Sequence, residues 1–178
     1  FLAVPREFHF VKRPENALTL DYARVRLDDG TESEPLPVMC IKDMLLRRRY
    51  AGKVTMTYSF RLETVPERLR IVFEPMLYTD IRVNGAEAAP LEGEWWLDRS
   101  FQVLPLEAMV SPGVNTVSFT FEYWQREEVY RVLYGGGSES LRNCLDFDCE
   151  IEPVYLTGLF CVRSESPFLR DAGQTVTT

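Results

Sequence analysis

The stretch "LDFDCEIE", residues 145–152, sets four acids against four apolar residues in strict alternation. On a strand, Asp146, Asp148, Glu150 and Glu152 would share one face, and Leu145, Phe147, Cys149 and Ile151 the other. Carboxylates two residues apart then stand about 7 Å apart. That separation falls within the roughly 6.5–9.5 Å used by inverting glycosidases. Any acidic pair at that spacing on any strand meets the same criterion, so a solvated strand face is the primary reading. A calcium site drawing on Asp146, Asp148 and Glu150 is the alternative, because calcium takes several carboxylate oxygens at once.

The aromatic residues suggest different chemistry. Sugars offer C–H faces that pack on aromatic rings, while neighbouring polar groups bond their hydroxyls. Trp95, Trp96, Tyr123, Trp124, Tyr130 and Tyr134 are candidates for such a platform. The set taken forward as a carbohydrate contact is Trp95, Trp124 and Tyr78, with Asp80 and Arg99 as hydroxyl partners. Adjacent residues on a strand point to opposite faces. At most one of Trp95 and Trp96 then faces a core, and the other faces solvent or a covering layer.

Other chemistries find little purchase. The single histidine, His9, sits in no motif that would make it the base of a nucleophilic triad. Gly135-Gly136-Gly137 lacks the Lys and Ser/Thr of a phosphate-binding loop. The four cysteines, Cys40, Cys144, Cys149 and Cys161, form no CxxC pair, and one histidine cannot complete a zinc site of ordinary spacing. They read as free buried thiols, which leans towards a cytoplasmic compartment.

The elements that must carry these residues are mostly strands. In "KVTMTYSF", Val54, Met56, Tyr58 and Phe60 alternate with polar residues. "RLRIVFE", "DIRVNG" and "NTVSFTFEY" repeat the period, and "LTLDYARVRL" reads as one further strand ended by "DDG". Asn84-Gly85 supplies residues that tolerate the positive φ of a two-residue hairpin, a structural role. "CIKDMLLRRRY" and "PLEAMV" offer a turn or two of helix, with Arg47-Arg48-Arg49 as a solvated helix end. "GGGSES" reads as a flexible loop and "DAGQTVTT" as a frayed end. Many short strands with turn signals between them indicate an all-β antiparallel sandwich or jelly roll with one or two short helices.

The order of pieces over residues 16–124 resembles the sugar-binding, galactose-binding-like domain of glycoside hydrolase family 2-like proteins. The pieces are "NALTLDYARV", "GKVTMTYSF", "LRIVFEP", "DIRVNG", "WWLDRSF" and "SPGVNTVSFTFEY". Residues 16–25 and "NCLDFDCEIEPVYLTGLFCV" (143–162) resemble the C-terminal, non-catalytic region of large α-L-rhamnosidase-like glycosidases. The resemblance implies a jelly-roll sandwich over 1–150, with 151–178 a closing strand and linker or the start of a following β domain. It implies an accessory module beside the catalytic domain of a parent chain, with structural support as its work and a carbohydrate contact as a possible addition; a carbohydrate-binding module with its own sugar affinity and a protein-interaction sandwich are the alternatives. It carries over no catalytic residue and no cofactor. Asn84 and Gly85 match its hairpin, and Trp96, Leu97 and Asp98 match a strand whose Trp is commonly packed.

Composition sets the outer bounds. The 178 residues are 46% hydrophobic and 26% charged, enough to bury a core. Phe1 in place of an initiating Met reads as a piece of a longer protein. The net charge of −7 and pI near 4.9 argue against nucleic acid or an anionic membrane as partner. No apolar run approaches a membrane span.

Overall fold

The computed structural model describes residues 15–163 and the strand pair Leu169–Arg170 and Val176–Thr177. His9 and most of the 171–178 tail lie outside the described residues. Two antiparallel sheets form a β-sandwich. The four-stranded sheet has the order β1 (Asn16–Leu20), β10 (Val154–Gly158), β5 (Arg70–Phe73), β8 (Gln102–Pro105). The six-stranded sheet runs β3 (Leu36–Pro37), β2 (Tyr22–Leu27), β4 (Gly52–Leu62), β9 (Gly113–Tyr123), β6 (Tyr78–Val83), β7 (Ala86–Glu87). The helices are α1 (Val38–Arg47), α2 (Glu127–Tyr134) and α3 (Glu139–Asn143), and β11 (Leu169–Arg170) pairs with β12 (Val176–Thr177).

Period two decides which residues meet between the sheets. On β4 the buried set is Val54, Met56, Tyr58, Phe60 and Leu62, and on β9 it is Asn115, Val117, Phe119, Phe121 and Tyr123. Their partners from the other sheet are Leu156, Ile71, Phe73 and Leu104. Phe119 is the centre of contact, with ring centroids 4.9 Å from Phe73, 5.0 Å from Tyr78 and 6.0 Å from Tyr58. Burying such a side chain contributes about 1.5–3 kcal/mol. The outward face of β4 and β9 is rich in hydroxyls, and Thr55 and Thr120 hydrogen-bond across it at 3.0 Å.

"LTLDYARVRL" is two strands, not one. Leu18 and Leu20 face inwards on β1, and then Ala23, Val25 and Leu27 do so on β2. The alternation slips by one at Asp21-Tyr22, and there the chain crosses from the four-stranded to the six-stranded sheet. Asn84 (φ 50°) and Gly85 (φ 83°) make the tight turn between β6 and β7. The Asn84 side chain does more than tolerate that φ. It donates to Met109 O and to Asn115 Oδ1, each at 2.9 Å, and accepts from Thr116 N.

The helix in "CIKDMLLRRRY" is longer than two turns because Val38, Ile41, Leu45 and Leu46 line one buried stripe. It ends as the basic run begins. Arg49 N–H bonds Leu46 O and Tyr50 N–H bonds Leu45 O, a Schellman arrangement with Arg49 in the left-handed slot (φ 46°). Arg47 pairs with Asp43, while Arg49 pairs with Glu127 and lies over the Tyr130 ring at 4.6 Å. "PLEAMV" forms no helix, only a turn in which Met109 N–H bonds Leu106 O. "GGGSES" is divided: Gly135 ends α2, and the Ser138 hydroxyl accepts from Leu141 N–H to start α3.

Candidate functional site

"WWLDRSF" is not a strand. A strand needs an unbroken run of extended residues, and Leu97 has φ 59°. Asp98 N–H bonds Trp96 O at 2.6 Å, closing a three-residue turn around Leu97. A second turn follows at once, with Phe101 N–H on Asp98 O and Ser100 N–H on Asp98 Oδ1 at 2.8 Å. The Ser100 N–H holds the Asp98 carboxyl below the usual carboxylate range. Two tight turns in seven residues sort the side chains. Trp96 falls to one side, Trp95 and Arg99 fall to the other, and the Phe101 ring is shared between them.

The first side is a covering layer. Val72, Val103 and Tyr155 lie in one row across β5, β8 and β10, on the face of the four-stranded sheet turned away from the core. Trp96 and Phe101 sit on Tyr155, with centroids 5.8 and 6.0 Å away, and Leu91 N–H ties the loop to Val103 O. Val72 and Val103, in the same row, are buried. Neither Trp95 nor Trp96 belongs to the core between the sheets.

The second side is an open groove of about 560 Å³. Its apolar wall is Pro90, Leu91, Trp95 and Phe101, and its polar lining is Glu92, Glu94, Arg99 and Gln102. Trp95 is 54% exposed. Among the described residues, Glu92, Glu94 and Arg99 have no ion-pair partner closer than 4.0 Å. An apolar ring face beside uncommitted hydrogen-bonding groups can hold a small polyhydroxylated ligand.

The structure brings only Trp95 and Arg99 of the carbohydrate set together. Tyr78 packs edge-on to Phe73 and Phe121, and its hydroxyl donates to Glu74 O. Burial pushes that phenol well up. It is a packing residue because β6 turns it inwards. Asp80 is paired with Arg82 at 2.7 Å. Trp124 is half exposed at the end of β9 and takes no part in the groove. Tyr123 and Tyr130 are buried, the latter against Val129 and Leu46. No motif marks Glu92, Glu94 or Gln102 in the sequence: the two glutamates lie in the breaker-rich run just before Trp95, and Gln102 opens β8.

The acidic segment also departs from the expected strand. Residues 145–153 join no sheet, and the chain bends at Asp148 and Cys149. Alternation still directs Cys149 and Ile151 inwards. The acids do not stay together as a row. Asp148 accepts from Arg126 N–H at 2.8 Å and from its guanidinium at 2.9 Å, while Asp148 N–H bonds Gln125 Oε1. Desolvation opposes ionisation of Asp148, but these Arg126 contacts outweigh it and hold its carboxyl below the usual range. Glu150 and Glu152 both reach Lys42, at 3.1 and 3.5 Å, and Lys42 lies over the Phe147 ring. Asp146 offers Arg126 only its carbonyl. Three of the four acids are thus committed to cations, and among the described residues no three His, Cys, Asp or Glu side chains converge as a metal site. All four cysteines are free, but only Cys149 is buried, and burial pushes its thiol up.

No protein-family model matches the chain, and no match is found among curated proteins.

Proposed function

We propose that the chain is a non-catalytic accessory module of galactose-binding-like jelly-roll type, belonging to a multidomain glycoside hydrolase-like protein and contacting carbohydrate. The observation that carries this reading is the groove in which an outward Trp95 stands with Arg99, Glu92, Glu94 and Gln102. A pyranose would lay its C–H face on the indole and offer its hydroxyls to the flanking groups. The order of motifs over residues 16–124 supports the family placement, and the commitment of Asp148, Glu150 and Glu152 to Arg126 and Lys42 supports a non-catalytic role.

The test is a tryptophan-fluorescence titration against neutral mono- and oligosaccharides, including rhamnose and galactose. A saturable change that Trp95→Ala abolishes and Trp124→Ala leaves intact is the expected result. No saturable change at millimolar sugar overturns the reading. A second role, docking this loop against the catalytic domain of a parent chain, is favoured by Leu97, which is 77% exposed at the tip of its turn.

A further inference from the structure

We propose that the groove selects uncharged pyranosides and discriminates against sugar acids, an inference that rests on the carbohydrate reading above. The argument is the charge of the lining. Glu92 and Glu94 line the groove together with one cation, Arg99, and among the described residues no other charged residue lines it. All three are exposed and, among the described residues, unpaired, so their charges act on whatever enters. The lining therefore carries a net negative charge, inside a chain whose own net charge is −7. A ligand carboxylate gains one guanidinium contact and meets two like charges. Like charges brought together in a site act against the wrong ligand.

A neutral sugar meets the same groups differently. A carboxylate only accepts hydrogen bonds, and a hydroxyl donates them. Vicinal hydroxyls can each donate to an oxygen of Glu92 or Glu94, while Arg99 donates to a ring or hydroxyl oxygen and Gln102 does either. Trp95 supplies the stacking face, which does not depend on charge. Affinity thus comes from the ring, and the choice among sugars from the two glutamates.

The experiment compares methyl glucoside and methyl galactoside with their C6-oxidised uronates by calorimetry and tryptophan fluorescence at low salt. The neutral glycosides are expected to bind about tenfold more tightly than the uronates. The gap should shrink with added salt, because exposed charges are screened. In the double variant Glu92→Gln/Glu94→Gln, glutamine keeps a hydrogen-bonding oxygen and loses the charge, so uronate affinity rises towards that of the neutral sugar. Equal affinities in the wild-type protein, or a gap unchanged in the double variant, overturn the charge selection and leave the carbohydrate reading standing. Failure of every saccharide to bind overturns both.

Discussion

Asn115 is 1% exposed, one of two buried polar residues among those described. Its Oδ1 accepts from Asn84 Nδ2 at 2.9 Å and from Ser111 N–H at 3.1 Å. Its Nδ2 donates to Ser111 O at 2.7 Å and to Gly113 O at 3.1 Å. The side chain therefore spends all its ordinary hydrogen-bonding capacity on joining the β6–β7 turn to the loop before β9. Asn115→Ala removes four bonds worth about 1 kcal/mol each. Water reaches Ser111, which is exposed, and recovers part of that loss. The expected cost is about 3 kcal/mol, or roughly 6–12 °C in Tm for a chain of this size. Urea denaturation followed by circular dichroism reads it directly, with the midpoint falling and the slope unchanged. Combining it with Asn84→Ala in a double-mutant cycle should give about 1 kcal/mol of coupling, because the two residues share one bond. A cost under about 1 kcal/mol for Asn115→Ala, or no coupling, refutes the reasoning: the turn and the loop would then be held by backbone alone.

Two further outcomes separate packing from binding and locate the acid-sensitive contact. Trp96→Ala uncovers the outer row of Tyr155, Val72 and Val103 and should cost about 3 kcal/mol, whereas Trp95→Ala should cost under about 1 kcal/mol, since Trp95 is half exposed; equal costs by urea titration contradict the division of the loop into two sides. Because the carboxyl of Asp148 titrates below its unfolded value of about 3.9, its contribution is present above that pH and is lost as pH falls through the lower folded value. The stability advantage of the wild-type protein over Asp148→Asn should therefore shrink as pH falls below about 4, and an advantage independent of pH would show that Arg126 does not hold the carboxylate.

The groove and the Asn84–Asn115 link differ in how far they can be read from residues alone. Strand faces on β4, β6 and β9 follow from alternation, because a period of two is a property of consecutive residues. The Asn84-Gly85 turn follows from the φ angles those two residues accept. The slip at Asp21 was legible too, in the change of phase between Leu18-Leu20 and Ala23-Val25-Leu27, although the run reads at first as one strand. The helix α2 left a clear trace: Glu127 and Glu128 in its first turn, Val129 and Leu133 on one side, Gly135 at its end. Its tyrosines suggest ligand stacking in the sequence, but Tyr130 belongs to the buried stripe with Val129.

What only the tertiary structure decided is which tryptophan faces out. Nothing in leucine favours a positive φ, and Leu97 takes one because Trp96 and Phe101 are drawn onto Tyr155, more than fifty residues away in the chain. The same holds for the acids of residues 145–152. Alternation chose their side, but Lys42 and Arg126 chose their partners, and both cations come from elements distant in sequence or bent back by α2. Local residue order sets backbone periods and turns. The fate of a side chain at a surface depends on which distant strand lies beneath it, and that is settled only when the two sheets are assembled.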